Sequence, residues 1–282
     1  MKVCKTISEI RSIVQKVKSN GKSIGLVPTM GALHTGHLGL IEESKNKCDV
    51  TITSIFVNPT QFNNPEDLKN YPRTTSADLE KLENAQCDLV FLPDNEDIYP
   101  KKPTISIDPG PIANELEGKF RSGHFDGVGL VVSKLFNIVQ PNQAFFGQKD
   151  LQQFFIIKAL VEQINFPIDL KMVSTLREES GLALSSRNMR LSDTDKKEAS
   201  LLYVGLKQAQ ELLLSGIAVP QAKQNVKELF DRSERLNLEY FEVVHTNDFK
   251  PTGNINDSSG IALCIAAEIG QVRLIDNLML IS

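Results

Sequence analysis

The sequence lacks several features that would assign it to large classes of protein. Its 282 residues contain no run of roughly 18 consecutive apolar residues, the length that a membrane-spanning helix requires. Acidic residues outnumber basic ones, 35 to 31, so no excess positive charge is available to bind a nucleic-acid backbone. There is also no low-complexity tract and no fixed-period repeat. We therefore expect a globular protein that binds neither membranes nor nucleic acids.

Cysteine is scarce, and its spacing is uninformative about metals or disulfides. The four cysteines are scattered, with no CxxC pair among Cys4, Cys48, Cys87 and Cys264. This arrangement is typical of reduced thiols that fill a core in the cytoplasm. The first six residues lead into an amphipathic helix pattern instead of the apolar segment and cleavage site of a secretory signal. We therefore expect a cytoplasmic protein.

Apolar runs alternate with helical patterns through the first part of the chain. The predicted strands are residues 24–27, 49–58, 89–92, 144–147 and 168–173, and the clearest helices between them are 75–86 and 124–139. Such alternation predicts an α/β domain with a parallel sheet. Two segments are less regular. Residues 59–72 hold three prolines and predict a loop that could be a mobile lid, and only 104–107 looks like a strand within 93–111.

The pattern changes after residue 176, where we place a domain boundary. Two predicted helices, 192–215 and 220–233, precede predicted strands at 238–244, 261–267 and 271–274. Gly270-Gln271 predicts a hairpin turn between the last two strands. The sequence thus predicts a parallel-sheet domain over residues 1–176 and a smaller α+β domain over residues 177–282.

Residues 28–37 combine a strand end, a glycine-bearing turn and a helix start, and they hold two of the four histidines, His34 and His37. A helix N-terminus carries unpaired N–H groups and suits a phosphate. Gly31 and Gly36 have the spacing of a P-loop, but His37-Leu38 stands where Lys-Ser/Thr is needed. A zinc site would need further ligands, and none lies nearby in the sequence. Phosphate contact is our preferred interpretation; ordinary surface histidines are the alternative.

A second strand-turn-helix junction follows Gly147, with Lys149 and Asp150 at its turn. If its strand is parallel to the strand at 24–27 and next to it, both carboxyl ends face one crevice, where Lys149 could neutralise phosphate charge. A solvated charge at the rim is the alternative for this lysine. The segment Ser185-Ser186-Arg187 has the donors to wrap a triphosphate, although a plain hydrophilic loop fits its composition equally well. Gln61 and Gln153, taken singly, suggest structural roles.

Taken together, five segments resemble the pantoate–β-alanine ligase (pantothenate synthetase) family. They are PTMGALHTGH at 28–37, FVNPTQF at 56–62, YPRT at 71–74, FGQKDLQQ at 146–153 and LSSRN at 184–188. The HxGH part alone indicates only the wider nucleotidylyltransferase superfamily. Thr60 and Gln148 depart from the family pattern, which has Met and Glu there.

The resemblance implies an ATP-dependent ligase that condenses (R)-pantoate with β-alanine to give pantothenate, in the coenzyme A pathway. Pantoyl adenylate would be the intermediate, and AMP and pyrophosphate the other products. ATP is then a substrate, and Mg²⁺ is held mainly by its phosphates, without a dedicated set of protein ligands. The family habit also implies a homodimer, a Rossmann-like nucleotide-binding first domain and a second domain that covers the active site.

The resemblance further implies roles for individual residues. The implied catalytic residues are His34, His37, Lys149, Ser185, Ser186 and Arg187. ATP would also meet Met30, Gly31, Gly36, Gly147, Gln148, Asp150, Leu176 and Leu184. The implied substrate-binding residues are Pro28, Met30, Asn58, Gln61, Phe62 and Gln153.

Other functions fit part of this pattern. A nucleotidylyltransferase acting on phosphopantetheine, a sugar phosphate or nicotinamide mononucleotide would leave the nucleotide on its product and release no AMP. A class I aminoacyl-tRNA synthetase has a similar HxGH motif. The net negative charge and the small C-terminal domain of this chain, however, offer little surface that could bind tRNA. A non-enzymatic nucleotide sensor or scaffold would bind ATP without releasing pyrophosphate.

Overall fold

The computed structural model describes residues 1–255 and 260–281, and the chain forms two compact units. The first consists of Met1–Gly147 and Gln153–Val173, and the second of Gln148–Gln152 and Ser174–Ser282. The predicted boundary at 176/177, with a second domain that covers the active site, stays a prediction. Within the described residues, no helix has both the length and the apolar character needed to cross a membrane.

A six-stranded sheet, parallel throughout, forms the centre of the first unit and confirms the predicted α/β fold. Its strands are β1 (Lys2–Cys4), β2 (Ile24–Thr29), β3 (Val50–Ile55), β4 (Leu89–Phe91), β5 (Gln143–Gly147) and β6 (Asp169–Val173). The strand order is β1-β4-β3-β2-β5-β6. The chain therefore moves outward from β2 to β4 and then restarts with β5 on the other side of β2.

Helices cover both faces of this sheet, because successive strand residues point to opposite sides. The helices are α1 (Ile7–Ser19), α2 (Thr35–Lys47), α3 (Pro65–Asn70), α4 (Thr75–Asn84), α5 (Asn95–Ile98), α6 (Glu117–Phe120), α7 (His124–Val139) and α8 (Leu151–Ile164). Leu26 of β2 belongs to a buried cluster with residues of α1 and α7. Its neighbour Val27 belongs to a cluster with residues of α2 and α4. The sheet is thus a buried middle layer.

Two segments of the first unit differ from the prediction. Residues 59–72 are not an irregular loop: Asn58 caps a 3₁₀ turn at Pro59–Gln61, and Asn64 caps α3 at Pro65. An asparagine followed by proline is a helix-start signal, so these short helices were readable from the sequence. The strand predicted at 104–107 is also wrong. Ile107 packs against Gly129 of α7 while Ile105 is exposed, so this segment lies on a helix and not beside a strand.

The second unit is the smaller α+β unit that the sequence predicted. Its antiparallel sheet has the order β7 (Leu236–His245), β8 (Ile261–Ile269) and β9 (Val272–Ile281). Gly270, with φ of +58°, begins the predicted hairpin between Ile269 and Val272. β9 runs well beyond its predicted end at residue 274.

Helices pack on this sheet through apolar side chains of both layers. They are α9 (Asp193–Ala199), α10 (Leu201–Leu214) and α11 (Val219–Phe230). Leu206 and Phe230 join Phe241 and Ile265 of the sheet in one buried cluster. The single helix predicted at 192–215 is wrong, because the chain breaks at Ser200 into α9 and α10.

Candidate active site

The strand order of the first sheet reverses between β2 and β5. Gly25 pairs with Gln143 and Leu26 with Ala144, so these two strands are adjacent and parallel, which meets the condition set for a shared crevice. Their carboxyl ends therefore lie at the same sheet edge. In open α/β sheets, ligands bind at such a switch point, outside the carboxyl ends of the strands. The turn that carries His34 and His37 begins there.

The backbone of this turn is held by side chains of α4. Gly31 and Ala32 both have positive φ, +81° and +50°, a conformation that costs a non-glycine residue roughly 1–2 kcal/mol. The buried carboxylate of Asp78 accepts the N–H of Ala32 at 2.9 Å and that of Leu33 at 2.7 Å. Lys81 donates to the carbonyl of Leu33 at 2.6 Å. These bonds offset the strain and fix where the turn delivers His34.

Sequence reasoning missed Asp78 and Lys81. A signal for Asp78 existed, because it lies one helical turn before Leu82 and so shares the buried face of α4. A carboxylate on an apolar helix face needs partners. The sequence could not show that those partners are the backbone groups of the turn at 31–33.

The two histidines cap α2 reciprocally. Nδ1 of His34 accepts the N–H of Gly36 at 3.1 Å, and Nδ1 of His37 accepts the N–H of His34 at 3.3 Å. A ring nitrogen that accepts a hydrogen bond carries no proton, so the proton of each neutral imidazole is on Nε2. The ring centroids are 4.1 Å apart. The N-terminus of α2 carries the partial positive charge of the helix dipole, which favours an anion. No acidic residue in the first turn of α2 neutralises that charge.

A buried amide pair lies next to the same strand end. Asn58 donates from Nδ2 to the carbonyl of Gly127 and to Oε1 of Gln61, both at 3.1 Å. With its Oε1 used in this way, Gln61 turns its Nε2 group toward Sδ of Met30, 3.1 Å away. Thioether sulfur is a weak acceptor, so a better one could replace it. Asn58, only 1% exposed, supports Gln61.

Tyr99 and His124 surround this amide pair. The Tyr99 hydroxyl donates to Oδ1 of Asn58 at 3.0 Å, and burial raises the pKa of the phenol, so it stays a donor. Thr60 also donates to Asn58 Oδ1, at 3.0 Å, which a methionine at this position could not do. Nδ1 of the buried His124 lies 2.8 Å from the carbonyl of Gln61. Thr60, a departure from the family pattern, is thus part of the support.

The remaining predicted substrate residues of the first unit are partly buried. Phe62 packs edge-on against Tyr71 with ring centroids 5.6 Å apart. Pro28 pairs with Ser54 of β3 within the sheet. Gln153 lies in the first turn of α8.

In the second unit, Gln148–Asp150 form a 3₁₀ turn that contains the predicted lysine. The Lys149 side chain is 16% exposed, and its Nζ is 3.9 Å from Oδ1 of Asp150, at the outer limit of an ion pair. This acidic neighbour is itself largely exposed. Solvent screens such a pair, so it neutralises little of the lysine charge.

The segment from Leu176 to Arg190 is ordered by its own backbone. The N–H of Leu184 bonds to the carbonyl of Leu176 at 3.0 Å, and that of Glu178 to Leu182 at 2.9 Å. Gly181 closes this turn with φ of +89°. Ser185 then caps a 3₁₀ turn, Ser186–Arg190, by accepting the N–H of Arg187 at 3.3 Å.

Each unit thus gathers a separate part of the predicted site. In the first unit, the turn after β2 carries the contacting pair His34 and His37, and the amide pair of Asn58 and Gln61 meets Met30 of the same turn. The second unit holds Lys149 and the segment with Ser185, Ser186 and Arg187. Among the residues that the structure describes, no group of three or more His, Cys, Asp and Glu side chains could hold a metal ion.

Comparison with known proteins gives one consistent result. The family model described as pantoate-beta-alanine ligase matches residues 2–279. Curated relatives named pantothenate synthetase include one from Leptospira interrogans, 46% identical over 99% of this chain and 98% of its own length. Another, from Cytophaga hutchinsonii, is 43% identical over 98% of both chains.

Solved structures agree with these sequence relatives. A pantothenate synthetase from Thermus thermophilus superposes with a TM-score of 0.93 at 36% identity, and both chains are fully covered. A pantoate-beta-alanine ligase from Francisella tularensis, complexed with beta-gamma ATP and beta-alanine, has a TM-score of 0.82 at 38% identity, with 99% of this chain and 98% of that one covered. From its sequence and its fold, this chain belongs to the pantoate-beta-alanine ligase family of enzymes.

Proposed function

We propose that this enzyme activates (R)-pantoate with ATP and joins the activated acid to β-alanine through a pantoyl-adenylate intermediate. The observation that carries the proposal is the histidine pair that caps the start of α2 through its two Nδ1 atoms, beside the switch point of the sheet. The complex of the Francisella relative with beta-gamma ATP and beta-alanine supports the choice of ligands.

The reaction has two substitutions. A carboxylate oxygen of pantoate attacks the α-phosphorus of ATP, and the bond from that phosphorus to the bridging oxygen breaks, so pyrophosphate leaves. The amine of β-alanine then attacks the carbonyl carbon of the mixed anhydride. A C–N bond forms, the C–O bond to the phosphate breaks, AMP leaves, and the amine loses its proton to solvent.

The phosphate groups need donors and positive charge, because negative charge shifts onto the leaving pyrophosphate during the first step. His34 and His37 donate from Nε2, and His37 can also deliver its proton to a developing oxyanion. Lys149 and Arg187 supply fixed positive charge, and Ser185 and Ser186 supply neutral donors to the β- and γ-oxygens. Met30, Gly31 and Gly36 line the phosphate end of the site.

The ribose and adenine of ATP are assigned to residues around Lys149 and to the segment from Leu176 to Arg190. Asp150 and the backbone of Gly147 and Gln148 meet the ribose. Leu176 and Leu184, whose backbones are joined by a hydrogen bond, contact the adenine.

Pantoate requires recognition that does not reduce the reactivity of its carboxylate. Gln61 and Gln153 are neutral amides, so they can hold the carboxylate and hydroxyl groups without forming a tight ion pair with the nucleophile. The Nε2 group of Gln61, now 3.1 Å from the sulfur of Met30, would turn to the substrate. Met30, Pro28 and Phe62 provide apolar cover for the gem-dimethyl group.

Three accompanying proposals follow from family membership. Mg²⁺ would be held mainly by the ATP phosphates, the oxygen ligands that suit a hard cation, and would neutralise phosphate charge there. The enzyme is a homodimer and works in the cytoplasm.

Product analysis tests the proposal. Purified enzyme is incubated with ATP, Mg²⁺ and pantoate, with and without β-alanine, and AMP and pyrophosphate are measured. We expect AMP release that depends on both acids, with pantothenate in equal amount. A nucleotidylated product without AMP would instead indicate a nucleotidylyltransferase, and ATP binding without pyrophosphate release would indicate a sensor.

A further inference from the structure

We propose that two neighbouring residues of β9, Asp276 and Asn277, are positioning residues for the ATP-contacting segments of the second unit. Asn277 holds the turn that contains Lys149, and Asp276 holds the segment that begins at Leu176. The inference deepens the proposed function and rests on it for the roles of Lys149 and Arg187.

Asn277 uses its whole side-chain amide on the turn at 148–150. Its Nδ2 group donates to the carbonyl of Gln148 at 3.0 Å and to that of Lys149 at 2.9 Å. Its Oδ1 atom accepts from Nε2 of Gln148 at 3.3 Å. The residue is 3% exposed, so water cannot easily replace these bonds. The backbone on both sides of the Lys149 side chain is therefore tied to β9.

The pairing also explains a departure from the family pattern. Gln148 stands where glutamate is expected, and only the amide can donate to Oδ1 of Asn277. A glutamate carboxylate would place a second acceptor opposite that oxygen. In this chain, the side chain of Gln148 therefore adds a third hydrogen bond between its own turn and Asn277.

Asp276 acts on the other ATP-contacting segment. Its carboxylate binds both terminal nitrogens of Arg177, with Nη2 at 3.0 Å from Oδ1, and the aspartate side chain is 2% exposed. Arg177 also donates to the carbonyl of Gly181 at 3.1 Å, and its guanidinium lies 4.0 Å from the ring centre of Tyr203. Bidentate, partly buried pairs of this kind fix orientation as well as distance.

Because Asp276 and Asn277 are adjacent, the contacts with the turn at 148–150 and the contacts with Arg177 come from the same rigid strand. Oδ1 of Asp276 also accepts the N–H of Asn277 at 2.8 Å, and both residues lie within the paired part of β9. The structure thereby fixes the turn with Lys149 and the start of the segment with Arg187 relative to the same two residues.

The test is a double-mutant cycle of Asn277→Ala and Lys149→Ala, read by pantoate-dependent exchange of pyrophosphate into ATP. We expect Asn277→Ala to lower the maximal exchange rate about 10- to 100-fold, because small displacements of a charge-stabilising group cost on this order. The KM for pantoate should stay unchanged. In the Lys149→Ala background at saturating ATP, which masks any weakening of the ribose contacts of the same turn, Asn277→Ala should have no further effect on the maximal exchange rate.

Ile265→Val is the matched control. Ile265 is a fully buried β8 residue of the apolar cluster that Leu206 and Phe230 also join, and its shortening should lower stability while leaving the hydrogen bonds of the Asn277 amide in place. Its exchange rate per folded enzyme should equal that of wild type. If Asn277→Ala does not fold, Asn277→Asp keeps the volume but removes the donors, and we expect the same loss.

The outcomes separate this inference from the proposed function. No exchange by the wild-type enzyme would overturn the proposed function. Normal exchange by wild type and by Asn277→Ala, with slow exchange by Lys149→Ala, would overturn only the positioning role. Independent, multiplicative effects in the cycle would also overturn it, because Asn277 would then not act through Lys149.

Discussion

Nδ1 of His37 accepts the backbone N–H of His34 at 3.3 Å, and the ring of His34 caps Gly36 in the same way. In each ring, one nitrogen maintains the helix start and the other carries the proton. The structural and the chemical roles of these side chains therefore belong to different atoms, and they can be separated by substitution.

Replacing His34 by asparagine should abolish the chemical role and keep the structural one. Asparagine is a good N-cap and its Oδ1 can accept the N–H of Gly36, but it has nothing in the place of Nε2–H. We expect thermal stability close to wild type and adenylate formation lowered by on the order of 10²-fold. His34→Ala should lose the cap as well, at about 1 kcal/mol. Unfolding curves and exchange rates of the two variants check this, and full activity of His34→Asn would contradict it.

Lys149→Ala and His37→Ala should each reduce adenylate formation by on the order of 10²-fold or more, because each removes a preorganised group that stabilises developing charge. Lys158→Ala is the control, since this lysine is half exposed on α8 and its ion-pair partner is the exposed Glu162. Single-turnover measurements avoid interference from product release. A folded Lys149→Ala enzyme with normal turnover would refute the assignment of that residue.

Asp78→Ala should destabilise the protein and displace the turn at 31–33. It leaves the N–H groups of Ala32 and Leu33 buried without their acceptor, and each such loss costs about 1–3 kcal/mol. We expect the free energy of unfolding to fall by about 2–6 kcal/mol in urea titrations, the sum of two such losses. Glu80→Ala, an exposed change on the same helix, should be close to neutral. Equal stabilities of the two variants would show that Asp78 does not hold the turn.

Gln153→Ala should weaken pantoate binding and leave ATP binding little changed, because the proposed role of this amide is confined to the acid substrate. Gln163→Ala provides a control with the same side chain on an exposed position of α8. Calorimetric titration with each substrate separates the two affinities. An unaltered affinity for pantoate in Gln153→Ala would count against the role.

The sequence predicted the parts of the fold that depend on local pattern. The helix at 124–139 and the hairpin at Gly270-Gln271 were found because apolar period and turn chemistry are local. β1 was missed because a strand of three residues is too short to show an alternating apolar pattern. It is recognised as a strand through its parallel pairing with β4. The break at Ser200 was missed because neither glycine nor proline marks it in the sequence.

The residues of the candidate site were predictable from the sequence, but the residues that hold them in place were not. His34, His37 and Lys149 were visible through the turns that carry them. Asp78 lies 45 residues from Leu33, and Asn277 lies 128 from Lys149, so only the fold brings these pairs together. The tautomer of the two histidines was equally hidden, because it depends on the hydrogen bond that each Nδ1 makes.

The adenylate intermediate is tested most directly by isotope transfer. Pantoate labelled with ¹⁸O in its carboxylate is converted with ATP and β-alanine, and the products are examined by mass spectrometry. If the carboxylate attacks the α-phosphorus, one ¹⁸O atom appears in AMP at each turnover and pyrophosphate stays unlabelled. Unlabelled AMP, or ¹⁸O in inorganic phosphate together with ADP, would contradict the proposed mechanism.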